Sequence, residues 1–487
     1  MALPVETFFL QPDAPGTLQQ QIQQMVAQGI LSGRFRSGEK LPSTRGLATH
    51  LGVSRITVTI AYTELLASDY LTSKGRSGYF VSDTAPTLPH FSAPQDSDDA
   101  VDWARAMPQR FSGGVTPVKP QNWASFRYPF IYGQADPSLF DHANWRLCAV
   151  QALGQRDFTA LTTDYYDQDD PKLIEFIARH SLPRRGISAR PEQILITLGA
   201  QNALWLTAQI LLNHDRRAAL EDPSYPALRD ILTQSRCDMA TVPVDAGGLI
   251  TDAIPDQTDV IFATPSHHCP TTATMPMARR HALLERARAL DALIVEDDYE
   301  FEMSFLKAPS QSLKSLDRDG RVIYVGSFSK SLFPGLRLGY LVGSEPFIRE
   351  ARALRASVLR HPPGHIQRTA AYFLSLGHYD AQVRRMSTTL HARRTAMADA
   401  IATHGLQIAG HGASGGSSFW MRAPDHIHTA KLAKTLEENG VLIEPGAPFF
   451  ASTTPPQNYY RLAYSSIPAA RIADGVALVA DAIRAYT

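Results

Sequence analysis

The chain has 487 residues, longer than one hydrophobic core usually serves, so two or three domains are expected. Its 44% apolar and 19% charged composition excludes collagen-like, coiled-coil and wholly disordered classes, and three widely spaced cysteines (Cys148, Cys237, Cys269) exclude a disulfide framework. The 47 basic residues balance 47 acidic ones, so any nucleic-acid binding must come from local basic residues rather than from the field of the whole chain.

The N-terminal MALPVETFFLQPDAPG has no basic region ahead of an apolar stretch, and no 18-residue uncharged apolar run follows. A cytoplasmic protein that does not span a membrane is expected, associated with the nucleoid when bound to DNA. From Thr17 the apolar residues Leu18, Ile22, Met25, Val26 and Ile30 recur on one helical face that ends at Gly33. Pro42 and Ser43 open a second helix, through Leu47 to Leu51, that closes at Gly52. Ser54 caps a third, Arg55 to about Ser68, predicted to bury Val58, Tyr62, Leu65 and Leu66 and to turn Arg55, Thr57 and Thr59 outward. The stretch Tyr70–Val81 reads as two short strands around a glycine-containing turn. From Thr84 to Ser125 six prolines mix with Ser, Asp and Gln and no apolar period persists, as in a linker. Beyond it, the runs 194–197, 218–220, 260–263, 292–295 and 322–325 alternate with helical stretches. That pattern predicts βα units and a mainly parallel sheet with ligands at the carboxyl ends of its strands.

Two constellations carry chemistry. A recognition helix needs a small N-cap and first-turn side chains that reach bases or phosphates, and Ser54, Arg55 and Thr57 supply them, with Arg45 on the preceding helix. The segment LPSTRGLATHLGVSRITVTIAYTELLASDYL resembles the winged helix-turn-helix of the GntR superfamily. The resemblance implies DNA contacts from Ser43, Arg45, Ser54, Arg55, Thr57 and the wing residues Lys74 and Arg76.

The second constellation centres on GSFSKSLFPGLRLGY (326–340), which follows a predicted strand and resembles the lysine motif of fold-type I aminotransferases. The resemblance implies pyridoxal 5'-phosphate (PLP) linked to Lys330, because this chemistry needs a lysine that can lose its proton. Ser327, Ser329 and Arg337 would hold the phosphate, with the turn Gly199-Ala200-Gln201 after a strand presenting backbone N–H groups. In ALIVEDDYE (292–300), Asp297 would pair with the pyridine nitrogen and Tyr299 with the ring hydroxyl. Asp298 is the alternative, since sequence does not separate adjacent acids. Tyr225 matches the aromatic stacked on the ring, and Arg461 matches the arginine that grips a substrate carboxylate. The pair His267-His268 beside Cys269 is not read as a metal site, because adjacent ligands rarely meet one ion and a third partner is missing.

This order of parts resembles the MocR subfamily of GntR-type regulators. It implies a winged helix at 1–83, a linker at 84–125, and an α/β fold-type I aminotransferase-like domain at 126–487 with a smaller subdomain from about Gln367. TPSHHCPTT (264–272) looks like the subfamily's TPSHQxPTG, with Thr272 in place of Gly and Cys269 where working aminotransferases carry an Asn. The resemblance further implies a head-to-tail homodimer that binds double-stranded operator DNA. An amino compound such as GABA, taurine or an ectoine derivative would condense with PLP at Lys330 as an external aldimine, with at most slow transamination. A working aminotransferase with a DNA-binding appendage, and a sensor of PLP itself controlling vitamin B6 synthesis, remain as alternative readings.

Overall fold

Thr17 and Gln20 cap each other reciprocally and open α1 (Leu18–Leu31). Ser43 and Ser54 begin α2 (Thr44–Leu51) and α3 (Arg55–Ala67) by accepting the N–H groups of Gly46 at 3.0 Å and Thr57 at 3.2 Å. Gly52, in the left-handed region at φ 66°, ends α2. Ile22, Val26, Ile30, Leu47, Val58, Tyr62 and Leu65 form one core, while Met25 and Leu66 pack only at its edge. Leu18, expected on the buried stripe, is exposed, because the first turn of α1 projects beyond that core. The wing is β1 (Leu71–Ser73) antiparallel to β2 (Tyr79–Val81) around a 3-10 turn, Gly75–Ser77.

The computed structural model describes residues 2–10, 15–86, 101–107, 111–112, 114, 119–134, 136–164, 166–306, 310–412 and 415–486, without the side chain of Arg76. Two units form, Met1–Gln109 and Arg110–Thr487. Their division falls inside the proline-rich stretch read as a linker. Much of that stretch, 87–100, 108–110, 113 and 115–118, lies outside the described residues. The rest holds a short helix, Trp103–Ala106, and a 3-10 turn, Trp123–Ser125.

In the second unit, β3 (Tyr128–Pro129) pairs in parallel with β14 (Val441–Leu442). The apolar runs form the main sheet: β4 (Ile194–Thr197), β5 (Arg217–Asp222), β6 (Asp238–Asp245), β7 (Gly248–Leu249), β8 (Val260–Ala263), β9 (Leu293–Asp297), β10 (Val322–Ser327) and β11 (Gly339–Val342). Their order is β4-β11-β10-β9-β8-β5-β6-β7, with β6, β5, β8, β9 and β10 parallel and β11 and β7 reversed. Alternate residues leave opposite faces, Ile194, Ile196, Tyr324 and Tyr340 into one cluster and Leu195, Ile323, Val325 and Leu341 into another, so both faces are buried.

Gln367 was placed at the start of a smaller subdomain, yet its helix, Gly364–Ser375, packs on helices His142–Ala152 and Pro171–Phe176 beside the main sheet. Gln367 is buried and accepts the Asp170 N–H at 2.9 Å, which ties that helix to the large layer. The smaller layer begins with His378–Thr403, which packs on Ala469–Ala485. It carries a four-stranded antiparallel sheet, β12 (Gln407–Ile408), β13 (Ser418–Arg422), β16 (Tyr459–Ala463) and β15 (Glu444–Pro445) in that order.

Candidate functional site

Strand register levels the carboxyl ends of the parallel strands. Val325 of β10 lies opposite Asp297 of β9, Ser327 lies opposite Gly339, and Gly339 lies opposite Thr197 of β4. A Cβ on Gly339 would fall 2.9 Å from the backbone of Gly199, so only glycine lets β11 pass this close to the turn after β4. The loops after β4, β5, β8, β9 and β10 then surround a cavity of about 200 Å³. Ala200, Gln201, Tyr225, Asp297, Tyr299, Ser327, Ser329, Lys330 and Arg337 all line it, as does Cys269.

One end of the cavity is built for an anion. Gly199 starts the helix Gly199–Leu211 at φ 79°, and that helix has no side-chain cap, leaving its N-terminal N–H groups to a ligand. The Arg337 guanidinium reaches over Gly199, donating to the Leu198 carbonyl at 3.2 Å, and the Ser327 hydroxyl accepts the Ser329 N–H at 3.2 Å. A helix terminus, two hydroxyls and a guanidinium around one space suit a phosphate.

Asp297 also faces the cavity, with Oδ1 buried and without a hydrogen-bond partner among the described residues. Burial, reinforced by Asp298 and Glu221 and opposed by Lys330, pushes its carboxyl up to about 7. A protonated ring nitrogen would supply the missing donor. The neighbouring acid points elsewhere: Asp298 Oδ2 accepts from Arg185 Nε at 2.6 Å and Tyr324 Oη at 2.8 Å, both inside the protein. Burial pushes the Lys330 amine down to about 8, Glu300 opposing and Lys119 and Arg461 assisting, and its Nζ sits 3.9 Å from the centre of the Tyr132 ring. Phosphate cradle, unpartnered acid and low-pKa amine in one cavity fit PLP.

Arg461 does not stand free. It lies directly across from Glu444 in the small sheet, and its Nε donates to Glu444 Oε2 at 2.8 Å. Its guanidinium is packed between the rings of Tyr132 (4.1 Å) and Phe449 (4.7 Å), and Nη1 lies 3.9 Å from Cys269 Sγ. Burial holds the Cys269 thiol up at about 11. His267 and His268 turn to different carboxylates, Glu300 at 3.2 Å and Glu221 at 3.4 Å, so they share no centre. Thr272, standing where the motif has Gly, occupies a left-handed backbone at φ 62°.

In the first unit Ser43, Arg45, Ser54 and Arg55 are exposed and Thr57 is half-buried. Arg55 Nε donates to Thr44 Oγ1 at 3.4 Å, and Lys74 Nζ lies 5.1 Å from the Phe80 ring centre. The side chain of Arg76 lies outside the described residues. Ile56, which sequence reasoning passed over, stands 71% exposed on α3. Sequence reasoning also missed Tyr132, Gly133 and Glu444. The acid in the otherwise apolar run Val441-Leu-Ile-Glu444 was the available signal.

The chain matches the family model of bacterial regulatory proteins, gntR family, over residues 18–81, and that of aminotransferase class I and II over residues 140–477. A helix-turn-helix reader joined to a fold-type I aminotransferase-like domain defines a class of transcription regulator, and the chain belongs to its MocR subfamily. It is 58% identical over 485 residues to the HTH-type transcriptional regulator TauR of Rhodobacter capsulatus, covering 99% of this chain and 100% of that one. It is 31% identical over 388 residues to the probable rhizopine catabolism regulatory protein MocR of Rhizobium meliloti, covering 79% and 77% of the two chains. Among solved structures it resembles the alpha-aminoadipate aminotransferase LysN of Thermus thermophilus, complexed with N-(5'-phosphopyridoxyl)-L-leucine (TM-score 0.70, 26% identity, 79% of this chain and 99% of that one). It also resembles a Pyrococcus horikoshii kynurenine aminotransferase (TM-score 0.69, 26% identity, 74% and 91%).

Proposed function

We propose that this transcription regulator binds PLP at Lys330 and uses it to sense an amino compound that also carries a carboxylate or sulfonate, controlling genes for that compound's uptake or catabolism. The observation that carries the reading is the convergence of Lys330 and the unpartnered Asp297 Oδ1 on one cavity beside an uncapped helix N-terminus. PLP, when bound, supplies an aldehyde carbon that condenses reversibly with primary amines and a ring that withdraws electrons when its nitrogen is protonated. Asp297 would keep that nitrogen protonated, Tyr225 would pack on the ring, and Tyr299 would meet its hydroxyl. Lys330, with a pKa near 8, holds an appreciable neutral amine fraction at cytoplasmic pH and can exchange places with an incoming amine.

Cys269 favours sensing over turnover. A thiol held neutral is a weak donor, where the resembling enzymes place an amide that bonds the ring hydroxyl. Arg45, Arg55 and Lys74 would meet operator phosphates and bases, and Ile56 would meet an apolar group such as a thymine methyl. The protein would act in the cytoplasm as a homodimer presenting two such readers to one operator.

The test is the absorption spectrum of the purified chain with PLP, for wild type and Lys330→Ala, before and after adding candidate amines. A band near the visible edge that requires Lys330 and shifts with one amine class is expected. If wild type gives no band, the sensing mechanism fails and a DNA-binding protein with a catalytically empty fold remains.

A further inference from the structure

A second lysine stands beside Lys330. A Cβ on Gly133 would lie 3.2 Å from Lys330 Nζ and 3.4 Å from Lys119 Nζ, so both amines border the same glycine. Lys119 donates to the Tyr132 carbonyl and lies 3.3 Å from Glu444 Oε1, while Glu444 Oε2 takes Arg461 Nε at 2.8 Å and the Tyr132 N–H at 3.1 Å. One buried carboxylate thus holds two cations on its two oxygens. Glu444 is kept ionised against its own burial chiefly by Arg461 and then by Lys119.

Glu444 alone does not offset both cations. Lys119 and Arg461 together carry one positive charge more than Glu444 returns. Glu300 adds a negative charge nearby, but its oxygens take the Tyr132 hydroxyl at 3.1 Å, Ser417 at 2.5 Å and His267 at 3.2 Å rather than either cation. Donors are also left over. An ammonium has three N–H groups, and Lys119 directs two of them to a carbonyl and one carboxylate oxygen. Arg461 commits Nε to Glu444, and among the described residues its Nη1 meets a thiol at 3.9 Å. Two cations that share one carboxylate and keep spare donors, beside the amine at which the ligand is to react, suit an anion.

We propose that Lys119 and Arg461 together bind the acid group of the effector, with Glu444 as the positioning residue that holds both cations ready. This rests on the PLP-sensing reading above and adds to it the residue that selects acid-bearing amines from plain ones.

The test uses the full-length chain loaded with PLP and follows the shift of the cofactor band, with calorimetric titration as a second readout, on adding taurine, β-alanine or propylamine. Lys119→Met is expected to weaken taurine and β-alanine at least about ten-fold, the scale of one lost charge-assisted bond, and to leave propylamine within about two-fold. Lys119→Arg should recover most of the loss, which a purely structural role would not predict, and it also serves if Lys119→Met folds poorly. Equal weakening of all three amines, or no weakening of the two acids, overturns the assignment while the PLP reading stands. If no amine perturbs wild type at all, the sensing reading falls and this inference with it.

Discussion

Asp297 and Asp298 are adjacent acids with opposite surroundings. Asp298 is locked by Arg185 and Tyr324, whereas Asp297 meets the cavity with one oxygen unpartnered, so the cofactor-free chain pays for its carboxylate whenever it is ionised. With a folded-state pKa near 7 against 3.8 unfolded, the folded state holds the proton more tightly. The favourable effect of Asp297 is therefore fully present below the unfolded value and is lost as pH rises through about 7. Asp297→Asn should accordingly stabilise the PLP-free protein by an amount that grows between pH 5 and pH 8, by roughly 2 kcal/mol, and levels off above; urea unfolding at the two pH values measures it. A gain independent of pH would mean that Asp297 finds a donor in the free protein.

At the scale of elements, α3 depends on its cap. Ser54 accepts the Thr57 N–H at the end of the helix that carries Arg55 and Ile56. Ser54→Ala should cost about 1 kcal/mol locally, seen as about five-fold faster hydrogen exchange of the α3 amides, with operator affinity falling alongside. Unchanged exchange would show that tertiary packing alone fixes the helix. These caps were legible in sequence, because Ser43 and Ser54 sit just ahead of amphipathic runs. β11 and β6 were not. β11 lies hidden in the motif that also holds Lys330, and β6 (DMATVPVD) carries a proline and exposed polar residues at the far side of the sheet. The helix of Gln367 was assigned to the wrong layer because amphipathic period reports that a face is buried, not against what.

At the scale of the molecule, regulation requires that the ligand bind two states of the protein with different affinity. Lys330→Ala should bind operator as wild type does without ligand, yet lose the several-fold change in operator affinity that an amine effector brings, measured by fluorescence anisotropy. A retained response would place sensing elsewhere than at Lys330.

The sequence by itself determined the two-part architecture and the identity of the pocket's chemical groups, because caps, β-rich runs and the SFSK segment are local patterns whose physics acts over a few residues. Only the tertiary structure decided which of two adjacent acids faces the cavity, that Arg461 is held by Glu444, and that Lys119 stands beside Lys330. Those facts depend on strand register and on side chains brought together from positions hundreds of residues apart, where burial and pairing, rather than residue type, set each charge.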